Sequence, residues 1–363
     1  MNLQRIKDGL ARNRLANAAG RVLMPSAVVN YRNRGRSFYV LFDVTNTCNL
    51  RCEMCNSIKV LRKPGEKAHF TPLPLFRRIA EMVFPYTKKL QLSCAFEALV
   101  HSDINEIIDI VGTHDIPGTG LVTNGMLLTS EVAVRIINAR ITDVAVSIDS
   151  PDKETFESIR RGAQFERVIE NVKGLVRLRD SLDKTFPNLR INHVLMTSTI
   201  ERIEAFCELC IDLGAVCVVF VHMYPYVEAN PEYLGAKSEL FANYREKAIA
   251  MLEKAGIEYS MPPPFDTTEG SLLTIDPEKT RKMAVNCRSP WHLLQINSRG
   301  DVFPCASRLL NPPYGNLQRQ TLSEVWNNLK YLKLRNDLLK KRPRNTCATC
   351  QSFFAPSFED TYV

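Results

Sequence analysis

Between residues 38 and 222 the hydrophobic positions follow two alternating rhythms. Short runs rich in β-branched and aromatic residues, at 38–44, 89–93, 120–123, 143–148, 190–196 and 216–222, read as strands. Between them, apolar residues recur at three- and four-residue spacing over 75–83, 104–111, 130–138, 165–179 and 203–213, which predicts helices packed by one face. Such alternation builds a parallel sheet, because parallel neighbours need a long crossover and a helix supplies it. Beyond residue 224 the rhythm breaks. Pro225, Pro231, Pro262, Pro263 and Pro264 punctuate a bridge that holds one helical pattern at 236–255, and a compact cysteine-bearing module follows. The predicted organisation is a basic helical segment at 1–37, a core at 38–224, a bridge at 225–284 and a C-terminal module at 285–363.

The first chemistry sits directly after the first predicted strand. Cys48, Cys52 and Cys55 form a CxxxCxxC loop that offers three thiolates and withholds a fourth. Iron-sulfur clusters are normally held by four cysteines, so a local set of three leaves one iron of a 4Fe-4S cluster open to another ligand. Zinc is the plainer alternative, but it wants a fourth protein ligand. The next cysteine is Cys94 and the nearest histidine His69, at no familiar zinc-finger spacing.

In cysteine spacing and in its place after a strand, this loop resembles the signature of the radical S-adenosylmethionine (SAM) enzymes. The resemblance implies a fold of the α/β class, a partial (β/α)6 TIM-like barrel, with chemistry at the C-terminal ends of the strands. It implies two cofactors: a 4Fe-4S cluster on Cys48, Cys52 and Cys55, and SAM chelated at the open iron. Reductive cleavage of SAM would then give a 5′-deoxyadenosyl radical that abstracts a substrate hydrogen. Met54 stands where relatives usually carry an aromatic residue.

Further sites follow from the resemblance. Glu97, in the position of the acidic member of a Gly-Gly-Glu-Pro element, is expected to accept a hydrogen bond from the SAM amino group. Asn124, in a Thr-Asn-Gly strand ending, is a cofactor neighbour as well as an ordinary turn residue. Ser147, with Arg160 or Arg161, matches positions that contact the ribose and carboxylate of SAM. Thr197 and Ser198 are placed for the ribose or adenine, and His222 and Tyr224 for substrate. Cys94, at the end of the second predicted strand, is a candidate hydrogen-atom donor to a substrate radical.

In the C-terminal module, Cys287, Cys305, Cys347 and Cys350 make four ligands. The segment 293–305 reads as a hairpin turning at Asn297 to Gly300, which would bring Cys287 and Cys305 together. The module resembles the SPASM and twitch extensions of radical SAM enzymes. It lacks cysteines after the CxxC, so the resemblance favours one auxiliary 4Fe-4S cluster on these four residues, with an all-cysteine structural zinc as the alternative.

Composition narrows the class. A chain of 363 residues that is 45% hydrophobic can bury a large core, yet no apolar run approaches the length of a membrane span. Eleven cysteines without an export signal favour metal ligation over disulfides, and a cytoplasmic location is expected. The net charge of +8 is concentrated at residues 1–37, where eight basic residues face one acid, Asp8. Leu3, Ile6 and Leu10 share a side there, so contact with a membrane surface competes with packing on the barrel, and packing is favoured. No nucleic-acid partner is expected. A low-potential electron donor of flavodoxin or ferredoxin type is implied by the family.

The leading functional expectation is an oxidoreductase acting on a small polar metabolite such as a sugar, an aminocyclitol or a natural-product intermediate. The auxiliary cluster would accept the substrate's second electron. Only 37 residues precede the first predicted strand, short for the leader-binding domain of many peptide-modifying relatives. A peptide or protein side-chain maturase is the alternative, and a redox-neutral epimerase a further one.

Overall fold

A computed structural model describes residues 30–55, 57, 65–223, 231–262, 264, 284, 286–305, 312–344 and 347. The predicted N-terminal helix, Tyr224 and Cys350 lie outside these residues.

Six parallel strands appear where the hydrophobic rhythm placed them: β1 (Phe38–Phe42), β2 (Thr87–Leu92), β3 (Gly118–Thr123), β4 (Asp143–Ser147), β5 (Asn188–Leu195) and β6 (Cys217–His222). The crossovers are α1 (Leu73–Val83), α2 (Ile104–Gly112), α3 (Ser130–Asn138), α4 (Lys153–Ile159), α5 (Phe165–Ser181) and α6 (Ile203–Asp212). Local chemistry starts several of them. The Thr129 side chain accepts the Val132 N–H at the head of α3, and the Asp152 side chain accepts the Thr155 N–H at the head of α4. The pattern missed α4, because only Phe156 and Ile159 of its seven residues are buried, too few for a periodic signal.

The bridge contributes α7 (Ser238–Ala255) and a seventh parallel strand, β7 (Glu258–Ser260), paired to β6. The C-terminal module supplies β8 (Leu293–Ile296), β9 (Asp301–Phe303), β10 (Gly315–Asn316), α8 (Leu322–Trp326) and α9 (Leu329–Leu339). The predicted hairpin is present as antiparallel β8 and β9. Pairing of β8 with β1, in parallel, was not predicted and makes one sheet of order β10-β9-β8-β1-β2-β3-β4-β5-β6-β7. The boundary drawn at residue 285 therefore falls inside a continuous sheet.

Alternation along the strands sorts the side chains onto two faces. On the helix side Phe42 stacks on Phe76 at 5.3 Å, and Ile79, Ile107, Ile136, Val168 and Phe206 are buried with them. Each such side chain contributes about 1.5–3 kcal/mol by leaving water. The lumen side is polar: Lys89, Gln91, Asp143, Arg190 and Asn192 line a cavity of about 10 Å³, with Val122 and Ala145. That is room for about one water. A Cβ on Gly120 would lie 2.3 Å from the Gln91 Oε1, so the amide occupies space that a side chain would fill. No helix among the described residues is long and apolar enough to cross a membrane.

Candidate functional site

The loop after β1 is fixed by hydrogen bonds from three neighbouring strand ends. Asp43, 1% exposed, accepts the backbone N–H groups of Cys94 and Ala95 at 2.8 and 2.9 Å, tying the β2 loop to β1. Those contacts, with a bond from the Ser93 hydroxyl to the Phe96 carbonyl, hold Ser93 at φ 62°. Such a left-handed conformation costs an ordinary residue about 1–2 kcal/mol. The Glu97 N–H reaches the Thr47 carbonyl at 3.2 Å. On the far side the loop is zipped to the end of α4, with Arg51 N–H to the Arg161 carbonyl at 3.0 Å and Glu53 N–H to the Ile159 carbonyl at 2.9 Å.

This frame leaves Cys48, Cys52 and Cys55 half-buried at the strand-end face. The Cys48 sulfur accepts from the Leu50 N–H at 3.4 Å and from Asn124 Nδ2 at 3.7 Å. The Cys52 sulfur accepts from the Arg160 guanidinium at 3.9 Å. Burial pushes the Cys48 thiol up to about 11; the Leu50 N–H opposes this, while Glu97, Cys52 and Cys55 add to it. Burial also raises Cys52, and Arg160 counters it. Among the described residues, no three Cys, His, Asp or Glu side chains converge tightly enough to cage a single metal ion.

Glu97, at 2% exposure, accepts from Thr123 Oγ1 at 2.9 Å, Asn124 N–H at 2.7 Å and Leu99 N–H at 3.2 Å. Burial nevertheless pushes its carboxyl up to about 7. Three of its roughly four lone-pair positions are filled internally. Asn124 is a hub: its side chain donates to Asn49 at 2.8 Å and to Cys48, and accepts the Met126 N–H. The next residue, Gly125, has φ 79°, and a Cβ there would meet Val168 at 2.9 Å, so this turn requires glycine.

The two candidate arginines separate cleanly. Arg160, 7% exposed, pairs with the fully buried Asp149 at 2.7 Å, whereas Arg161 points outward to the exposed Glu53. Ser147 is half-buried on the lumen side of β4. Thr197, half-buried just past β5, has a buried hydroxyl with no hydrogen-bond partner among the described residues, and the Ser198 N–H goes to Glu232 at 2.9 Å. Cys94 is half-buried in the loop anchored by Asp43. His222 corrects its expectation. The β5–β6 register puts Val219 and Val221 on the lumen side, and His222 faces outward onto Phe241 of α7, 4.8 Å between rings.

Sequence reasoning missed Asp43 and Asp149, the acids that hold the loops. The available signal was an acid one or two residues beyond a buried strand, where a carboxylate can meet backbone N–H groups. It also missed an apolar shelf of Ile159, Met196 and Met223, against which Met54 and Val194 pack.

The C-terminal module is organised by aromatic packing. Trp326 is fully buried, 4.7 Å from Phe38 of β1, with the Arg335 guanidinium 4.4 Å from its ring centre. Arg335 also donates to the Pro290 carbonyl at 2.7 Å. Cys287, Cys305 and Cys347 are half-buried. Burial pushes the Tyr314 phenol up, Arg344 opposes this, and Cys305 and Cys347 both add to it, so these two thiols share one neighbour.

The sequence matches the family profile of the radical SAM superfamily over residues 42–210 and that of an iron-sulfur cluster-binding domain, SPASM, over residues 287–351. It is 26% identical over 239 residues to a probable GTP 3′,8-cyclase of Methanocaldococcus jannaschii, covering 62% of this chain and 76% of that protein. It is 25% identical over 328 residues to the AdoMet-dependent heme synthase of Methanosarcina barkeri, covering 86% and 88%. In fold it is similar to Streptococcus suis SuiB bound to the precursor peptide SuiA, with TM-score 0.65, 17% identity and coverage of 95% and 76%.

Proposed function

Because the chain belongs to the radical SAM superfamily, in its SPASM-bearing subgroup, we propose that Cys48, Cys52 and Cys55 hold the SAM-binding 4Fe-4S cluster of an enzyme that modifies a substrate seated at the strand-end mouth of the barrel. The observation that carries this reading is the pinned loop, whose three thiols sit half-buried at the strand ends with N–H donors on two of the sulfurs. The residues fit a cluster. Burial raises the Cys48 thiol, with Glu97, Cys52 and Cys55 adding to it, and bound iron would supply the positive charge that thiolates at such a site need.

When bound, the cluster and SAM supply a 5′-deoxyadenosyl radical that takes a hydrogen atom from the substrate. Around them the chain's own groups divide the work. Glu97 and Asn124 brace the cluster loop, and the remaining lone pair of Glu97 suits the SAM amino group. Ser147 and the buried Thr197 hydroxyl suit the ribose, and the Met54, Met196 and Met223 shelf suits the adenine. Cys287, Cys305, Cys347 and Cys350 carry the auxiliary cluster. Cys94 remains the candidate hydrogen donor should the reaction be redox-neutral. A flavodoxin- or ferredoxin-type donor and a cytoplasmic setting belong to the same reading.

For the substrate, the half-buried hydroxyl-bearing Ser147 at the end of β4 supports a small polar molecule, oxidised with the auxiliary cluster as acceptor. A peptide side chain is supported by the edge strands β7 and β10, which end the sheet among the described residues, and by the likeness in fold to SuiB, whose structure holds a precursor peptide. Deuterated cell extract separated into small-molecule and peptide pools distinguishes them. With SAM and dithionite, the pool that transfers deuterium into 5′-deoxyadenosine contains the substrate. No 5′-deoxyadenosine from fully reconstituted enzyme, with any pool, defeats the catalytic reading.

A further inference from the structure

We propose that Arg160 is a positioning residue for electron uptake: held in place by Asp149, its guanidinium donates to the Cys52 sulfur and raises the reduction potential of the cluster those thiols hold. The inference rests on the cluster reading above and deepens it, assigning a consequence to one of the contacts that support that reading.

The geometry has three parts. The Asp149 side chain is fully buried at the end of β4, where one carboxylate oxygen accepts the Val194 N–H at 2.8 Å and the other meets Arg160 Nε at 2.7 Å. A second face of the same guanidinium, at NH1, lies 3.9 Å from the Cys52 sulfur. The backbone on either side is fixed, since Ile159 and Arg161 accept the N–H groups of Glu53 and Arg51. Arg160 thus stands between a carboxylate it cannot leave and a sulfur that the loop cannot withdraw.

Stability alone does not explain this pair. A buried ion pair recovers little of its desolvation cost, and well-packed apolar residues of the same volume are often as stable or more so. The contact that an apolar pair could not make is the one to sulfur. Guanidinium stays protonated in proteins, so it places a fixed positive charge and an N–H donor on one ligand. Reduction adds an electron to the cluster. A nearby positive charge therefore stabilises the reduced form more than the oxidised one, and hydrogen bonds to cluster sulfurs act in the same direction. Asp149 lies on the opposite side of the guanidinium and offsets part of that charge.

Two variants with opposite expected signs make the test. In anaerobically reconstituted full-length protein without SAM, the midpoint of the cluster signal that SAM perturbs is followed by EPR during redox titration. R160Q should shift it to lower potential, and R160K should fall between R160Q and wild type. D149N, which keeps an acceptor for Val194 and removes the offsetting negative charge, should shift it upward. The auxiliary-cluster signal should not move. An unchanged midpoint in R160Q overturns the proposal, and weakened SAM binding in that case reassigns Arg160 to the SAM carboxylate. A downward shift in both R160Q and D149N also overturns it, because lost packing rather than charge would then be responsible. If R160Q fails to retain iron, R160K and D149N decide by the same opposition of sign. Wild-type protein with no SAM-perturbed signal would instead remove the cluster reading itself.

Discussion

The two cysteine-bearing regions hold their thiols in different frames. Cys48, Cys52 and Cys55 sit within eight consecutive positions, and their loop is pinned by polar contacts from Asp43, Glu97, Asn124 and the end of α4. Of the C-terminal cysteines, Cys287, Cys305 and Cys347 stand far apart in sequence, in a module built on a hairpin, two helices and the aromatic pile of Trp326, Tyr314, Tyr331 and Arg335. A local loop can withhold a ligand and keep N–H groups near its sulfurs, which suits a reactive site. Distant thiols carried on packed elements would suit a closed one.

The sharpest way to break this comparison is to remove one thiol from each side. Cys48→Ala should lower iron by about four per chain and abolish 5′-deoxyadenosine formation from SAM and dithionite. Cys305→Ala should remove a similar amount of iron yet leave some SAM cleavage, because the two regions hold separate clusters. Equal loss of cleavage in both variants would erase the distinction. Metal analysis of anaerobically purified wild type sharpens it: about eight irons per chain is expected, and about four irons with one zinc would make the second region structural.

A smaller effect separates packing from polar pinning. Trp326→Ala should cost about 3–5 kcal/mol in urea unfolding and reduce auxiliary iron. Because Trp326 also packs on Phe38, a loss confined to the C-terminal module would show that the continuous sheet does not couple the two regions.

The smallest predicted effect concerns pH in the first region. The folded-state pKa of Glu97 is pushed from 4.5 to about 7, so between these values the native state binds more protons than the unfolded chain. Stability from this group is fully present below 4.5 and is lost as pH rises through about 7. His193, fully buried against Phe206 and Phe220, is shifted down to about 4 by burial and acts in the opposite sense as pH falls below 6.5. Urea midpoints of apo Glu97→Gln, compared with wild type across this range, should lose the decline toward neutral pH. The same decline in both proteins would show that Glu97 does not carry it.

The strands and the long helices were legible because buried faces impose their period on the residues that fill them. Phe38, Val40 and Phe42 alternate, and Ile104, Ile107, Ile108 and Val111 recur at helical spacing. Helix α4 and strand β7 were not legible, being too short to show a period. Both cysteine sets stood out as candidate ligands, since thiols advertise themselves by type and spacing. The choice between Arg160 and Arg161 was not: adjacent residues share a sequence context, and only the turn at the end of α4 sends one inward and the other to solvent.

Sequence by itself determined the alternating core, the two sets of thiols and the family to which they belong, because each is written in residue type at fixed intervals along the chain. Tertiary structure alone decided that β8 joins β1, that Asp43 and Glu97 bind three strand ends into one frame, and that Arg160 meets both Asp149 and Cys52. These contacts join residues 11 to 108 positions apart in the sequence, or strands from opposite ends of the chain. No local pattern encodes them, for their energy appears only once the barrel has brought the partners within hydrogen-bonding distance.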